Sequence, residues 1–493
     1  MRGRGEGLLA TQIRQAAGPE IKESEAFPWR GLVLSYLLLP ANAYWLVHAE
    51  AVGHGPFPTT ISLFPNVLFT LFFVVLLNLA VAKWWKPLLS RLDLAVMWGI
   101  LCMGSSLASL DQIQVLVPIA ADPYYFGVET TQWLQHFGDE ISRWLVVTDK
   151  EALLGFFRGN SSLYELRHIK AWATPMLVWT VLWSFLVWGM IAINALLSPR
   201  WLRKERLTYP VVQVPLELIN HPTSLLKSRV MWAGFLIGAS VTALAGLHAL
   251  YPAIPAPNVR PISLHEVFTE RPWNAVGWTP ITFFPFVIGL GFLMPTDLMF
   301  SCWFFYWYWK AQQVFAAATG LDQSPGAPWI NPQTFGAVMG LALALLYSSR
   351  FDLGDMWRRA LKRTQYLVPG QPMGARASFL LLFVSLAVLV AAWSVLGVRF
   401  WLVIVLFASY YLMGIAITRI RVEFGSPVHD LHVTSADYIL PTVFGPGYFY
   451  KRDLVGLTYY WAFNRAQRAH EMPQHAEALK VAEQTGLPLA RMN

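Results

Sequence analysis

Two carboxylates stand in apolar stretches of this chain, where an ionisable group needs a reason to be kept. Asp297 follows Pro295 and Thr296 in the middle of PITFFPFVIGLGFLMPTDLMFSCWFFYWYWKAQQ, residues 280–313. Asp111 follows the small-residue run MGSSLASL and is flanked by Gln112 and Gln114. Hydrocarbon offers no water to a carboxylate or to an interrupted helical ladder, so both features are tolerated only against protein or a water-filled cavity. Desolvation favours the protonated acid, and the chemistry such a group can perform is reversible binding of a proton or a cation. Each has a plainer reading. Asp297 is placed to cap a second helix from its first turn, and Asp111 is near enough to a helix end to meet headgroup water.

Two further carboxylates lie in segments unlike the spans around them. Glu217 closes LTYPVVQVPLE (207–217), which is too short to cross a membrane and is broken by two prolines; Glu423 lies in RIRVEFGSP (419–427). Each has an arginine close in sequence, Arg206 and Arg421. Salt bridging at a membrane face is one account. The other makes these segments, with Thr208 and Tyr209, walls or gates of a path, as broken helices are in secondary transporters. His48 and Glu50 end the first apolar stretch, with His54 beyond, but the His-x-Glu spacing turns those two side chains to different helix faces and implies no shared metal. No nucleotide-binding glycine loop, GxSxG, HExxH or paired-cysteine motif occurs, so neither an enzyme nor a cofactor is expected. Cys102 and Cys302 both fall in apolar segments and build neither a disulfide framework nor a metal site.

The elements that must position these groups follow from composition. Of 493 residues 55% are hydrophobic and only 13% charged, well under the roughly 25% of soluble domains, and the mean hydropathy is +0.43. An all-α, polytopic integral membrane protein is expected, with membrane lipid around it. The net charge of +8 sits in short loops and reads as an orientation signal rather than a nucleic-acid surface. Windows of about 20 apolar residues predict about ten transmembrane helices: 31–52, 61–82, 94–120, 174–197, 231–251, two hinged near Pro295 within 280–313, 333–347, 378–396 and 400–420. Re-entrant or broken segments join them.

Residues 1–28 read as a polar cytoplasmic tail, 29–448 as the transmembrane domain with an extramembrane segment at 121–172, and 449–493 as a cytoplasmic C-terminal tail able to form a short soluble helix over 471–484. With the N-terminus inside, the basic patches 83–91, 200–206, 350–376 and 419–421 all fall inside only if 280–313 is a hairpin of two spans. That parity favours a break near Asp297 and a multi-pass protein of a bacterial inner membrane with both termini cytoplasmic.

LRKERLTYPVVQVPLELI (202–219) and IGLGFLMPTDLMFSCWFFYWYWKAQ (288–312) resemble the oligopeptide transporter superfamily and its bacterial relatives. There a cytoplasmic basic run precedes an apolar segment matched here by Leu207, Thr208, Tyr209 and Pro210, and the second half carries an Arg-x-x-x-Glu-x-Gly pattern similar to Arg419–Pro427. The resemblance implies a secondary, proton-coupled symporter with repeated halves and re-entrant hairpins, and a peptide or metal chelate as its small-molecule cargo. Asp297 and Asp111 would titrate, while Thr208, Tyr209, Glu217, Glu423 and Arg421 would line the path. A reading from another class, suggested by the long polar segment 121–172 and the aromatic excess, is a non-catalytic structural or accessory subunit of a larger membrane complex. Homo-oligomer and hetero-complex are both compatible with the sequence.

Overall fold

The computed structural model describes residues 27–491 except 54, 56, 128–132, 258–260, 363–366 and 433. His54 and nearly all of the expected N-terminal tail lie outside the described residues. The chain is 74% helical, and the strands among the described residues are one two-residue antiparallel pair, β1 (Ile262–Ser263) and β2 (Pro280–Ile281). The main helices are α1 (Trp29–Val47), α2 (Pro65–Ala82), α3 (Arg91–Leu107), α4 (Ile113–Tyr125), α5 (Leu166–Ser198), α6 (Gln213–Asn220), α7 (Arg229–Leu250), α8 (Pro285–Phe292), α9 (Thr296–Thr319), α10 (Ile330–Ser348), α11 (Arg350–Leu361), α12 (Ala375–Val395), α13 (Phe400–Phe424), α14 (Ala436–Phe444), α15 (Lys451–Tyr460) and α16 (Glu471–Thr485).

Among the described residues seven helices are long and apolar enough to cross a membrane: α1, α2, α5, α7, α10, α12 and α13. This is a helical membrane protein. Three of the ten expected spans are not among the seven. The expected 94–120 span is cut at 108–112, where the Leu110 amide and carbonyl bond to Glu50 and Arg465 instead of to the helix. Within 280–313 the chain breaks at Leu293–Pro295, leaving the eight-residue α8 and an α9 too rich in Trp, Tyr and Gln to qualify by hydropathy.

Local signals set several element ends. Ser90 caps α3: its hydroxyl accepts from the Asp93 amide at 3.2 Å, and Asp93 accepts from the Ser90 amide at 2.9 Å. The other Asp93 oxygen accepts from the Gly31 amide at 2.8 Å and ties α1 to α3. A Cβ on Gly31 would lie 2.3 Å from the Asp93 carbonyl oxygen, so this approach requires glycine. α16 ends at Gly486 in the left-handed region, φ 81°.

The core lies between α3, α5, α12, α13, α15 and α16. At the end nearer 121–172, Trp179, Trp393, Phe407, Tyr460 and Phe463 interlock with ring centroids 5.2–6.4 Å apart. Trp179 and Trp393 donate their indole N–H groups to Leu145 O and Gly456 O. Residues 121–172 carry short helices around a small cluster of Ala121, Val147, Ala152, Leu153 and Trp172.

Residues 449–491 are not a tail outside this domain. Lys451 donates to His136 O and Arg452 pairs with Glu140 beside the 121–172 segment, while Glu483 near the other end of α16 pairs with Arg203 of the basic run. Between these points the chain threads the protein, and α16 is buried on nearly every face. Alanines at 466, 469, 476, 478 and 482 allow this close packing.

Candidate functional site

α15 and α16 are separated by a non-helical stretch, 464–470, just as α3 and α4 are separated by 108–112. α16 runs antiparallel to α3, with Ser106 beside Ala469 at one end and Val96 packed with Ala482 and Leu487 at the other. The two interruptions therefore face each other. Arg468 donates through Nη2 and Nε to Asp111 at 2.7 and 3.1 Å, and its amide donates to Asp111 at 3.0 Å. Arg465 donates to Leu110 O at 2.9 Å, and the Ser106 hydroxyl donates to Ala469 O. Asp111 is 3% exposed, so it meets this arginine rather than headgroup water.

Two more irregular stretches join them. Glu50, 1% exposed, accepts from the amide and hydroxyl of Thr59, from the Leu110 amide and from Gln114 at 2.6–3.1 Å. The 426–435 stretch receives the Ser62 amide and hydroxyl on Pro427 O and Ser426 O, and its Leu431 amide donates to Ala466 O. Non-helical backbone of this kind persists in a membrane protein only where protein encloses it or it lines a cavity.

Both conditions hold here. A cavity of about 870 Å³ lies between α4, α14 and α15, lined by Gln114, Asp122, Asp437, Tyr459, Arg465 and Trp133 among others. Arg465 and Gln114 line the cavity wall and donate to carbonyls of the 108–112 interruption, Leu110 O and Ala108 O. Asp437 accepts from Asn464 at 2.9 Å and from Ser435; burial raises its carboxyl above the ordinary range, against those hydrogen bonds.

On the far side of the Asp111–Arg468 pair lies the first turn of α16. His470 stacks on Tyr410 of α13 at 5.4 Å, and its Nδ1 accepts from the Met472 amide at 3.1 Å. Burial, then the Arg421 charge, pushes its imidazole down to about 3, so it is neutral. Asn194 of α5 donates to Met472 O at 2.8 Å and lies 3.1 Å from His475 Nδ1. Two turns along, Arg421 donates through Nε and Nη2 to Glu477 at 2.6 and 2.7 Å and to Ser62 O at 2.5 Å. Both members are about 1–2% exposed.

The sequence-derived residues divide into two places. Asp111 and Arg421 belong to this core. Thr208, Tyr209 and Glu423 form a second contact: the Tyr209 amide donates to Val422 O at 2.9 Å, the Thr208 hydroxyl to Glu423 O at 3.0 Å, and Gly425 (φ 70°) leaves no room for a Cβ, which would sit 2.6 Å from Pro210. The two short segments singled out in the sequence thus pack on one another. The arginine beside Glu423 is Arg419, one turn earlier, which also bridges to Glu205; Arg421 points to Glu477 instead. Glu217 and Arg206 are exposed. Asp297 is exposed in the first turn of α9, where Pro295 holds the cap position without a side-chain hydrogen bond, and it joins neither group. Among the described residues no cluster of His, Cys, Asp and Glu has the makings of a metal site.

Against families of related sequences, residues 21–493 match the family of unknown function DUF6785. The chain belongs to the DUF6785 family. No curated protein and no solved structure matches it. Sequence reasoning missed the residues of this DUF6785 chain that lie at 464–477, because a polar C-terminal stretch reads as solvated. The spaced alanines were the one signal that it packs.

Proposed function

We propose that this chain is a proton-coupled secondary transporter of a small organic solute, such as a peptide or a metal chelate, in a bacterial inner membrane. One observation carries the reading: two antiparallel helices are interrupted at the same level, and the interruptions are joined by Asp111 and Arg468 beside a cavity of about 870 Å³. Discontinuous helices whose exposed backbone ends meet at a cavity are how secondary transporters build substrate and ion sites. The cavity has the size and the mixed aromatic, acidic and basic lining of a small-molecule site. The likeness of 202–219 and 288–312 to the oligopeptide transporter superfamily supports the same class. In support of cytoplasmic termini, α1 begins beside Leu88 of one basic patch and α16 ends beside Arg203 of another.

The test is purified protein in liposomes enclosing a pH-sensitive dye, challenged with di- and tripeptides and with a ferric chelate. Solute-dependent acidification is expected, and its loss in Asp111→Asn at a temperature where that variant remains folded. The accessory-subunit reading draws on α7, none of whose residues is buried within the chain. A stoichiometric hetero-complex by native mass, with no solute-dependent proton movement, would replace transport by that role.

A further inference from the structure

We propose that Glu471 is the group that carries the coupling proton, held as the neutral acid in this conformation; the coupling role rests on the transport reading, the protonation does not. The geometry singles it out among the buried carboxylates of the core. Glu50, Asp93, Asp111, Asp453 and Glu477 each receive at least two hydrogen bonds or an arginine. Glu471 is 0% exposed, and neither of its oxygens is hydrogen-bonded to another residue. A buried ionised carboxylate without donors is far more costly than the neutral acid.

Its surroundings do not supply the missing charge. From the 108–112 interruption the group that acts on it is Asp111, which is negative, and from α13 it is Tyr410, whose buried hydroxyl also lacks a partner. On its own segment His470 is neutral, with Nε2 unpartnered, and His475 lies one turn on beside Asn194 of α5. The nearby cations are committed, Arg468 to Asp111 and Arg421 to Glu477. Burial, opposed by its own amide and reinforced by Asp111, pushes the Glu471 carboxyl up to about 8. The position suits coupling. Glu471 starts a helix directly after the interruption that Arg468 joins to Asp111, so a rearrangement of that pair would change the charge beside it. When Arg468 swings towards it, the acid would pass its proton to a water, forming hydronium, and the carboxylate would take one back from hydronium when the Asp111–Arg468 pair re-forms.

Infrared difference spectroscopy of the whole protein in lipid nanodiscs tests this. On raising the pH from about 6 to about 10, the wild type should lose the carbonyl band of one protonated carboxyl with a midpoint near 8. Glu471→Gln, which matches the neutral acid in shape, should fold and lack that band, while Asp437→Asn should keep it. Asp111→Asn should move the midpoint to lower pH, a readout that stands even where the glutamine variant fails to fold. A band that persists in Glu471→Gln, or an unmoved midpoint in Asp111→Asn, overturns the assignment. So does the same spectral change produced by sodium at constant pH, which would mark a cation site. A correct band without solute-driven proton movement in liposomes would overturn the coupling role alone and leave Glu471 a protonated structural acid.

Discussion

Arg421 and Glu477, separated by 56 residues in the chain, form a bidentate pair with almost no access to solvent. Neither charge is affordable alone at this position, since removing one partner of such a pair strands the other. Arg421→Met is therefore expected to destabilise by about 3–5 kcal/mol, seen as a lowered melting temperature in detergent. Arg421→Met combined with Glu477→Met should recover much of that loss, because two apolar side chains of similar size leave no stranded charge. If the double variant is as unstable as the single one, the arginine is needed for its bond to Ser62 O rather than for charge balance. Arg421 was legible as a candidate from its place beside Glu423. Its true partner was not, because the sequence neighbourhood says nothing about which distant helix fills the space beside it.

At the scale of elements, the interruption at Pro295 was legible and its significance was not. Proline removes a donor and stops the preceding helix, and Thr-Asp starts the next, so the break follows from local chemistry. Whether a carboxylate at such a break is enclosed depends on the helices that pack around it. Asp297 is exposed on α9, whereas Asp111, at the 108–112 interruption, is enclosed by the 464–470 stretch. Asp297→Asn is accordingly expected to leave both melting temperature and proton-linked uptake unchanged, in contrast to Asp111→Asn. Loss of uptake in Asp297→Asn would return the coupling role to α9. The short segments 207–217 and 419–427 illustrate the converse. Both were legible as unusual, and their contact through Tyr209, Thr208 and Gly425 gives the peculiarity its cause.

Across the whole molecule, the cavity beside the interruptions is lined by Trp133 and Gly127 of the 121–172 segment, while the basic runs gather at the opposite end, where Arg200 and Lys204 reach Asp352. Short basic loops favour the cytoplasm, so the cavity should be reached from the other side. In a background lacking Cys102 and Cys302, Thr458→Cys in the cavity wall is expected to react with a membrane-impermeant maleimide on intact cells. Asp355→Cys, on α11, should react only after permeabilisation. The reverse pattern would invert the orientation. α7, α8 and α9 expose most of their apolar side chains, as surfaces facing lipid do, and the stretch around Asp297 thereby lies at the periphery of the protein.

The sequence by itself determined the partition into apolar helices and basic loops, because transfer into hydrocarbon is a sum over local residues. It also determined that a helix must stop at Pro295, because proline acts on the backbone within one turn; the break at 108–112, inside the expected 94–120 span, emerged only in the structure. Only the tertiary structure decided which buried carboxylate lacks a donor. The polar stretch 464–485 is hydrophilic by every local measure, yet α3, α5 and α13 enclose it, supply donors to Glu477 and Met472 O, and leave Glu471 with none. Burial of a charge is a property of the groups brought around it, and those groups come from chain segments 56 residues away, as Arg421 does, or 278, as Asn194 does.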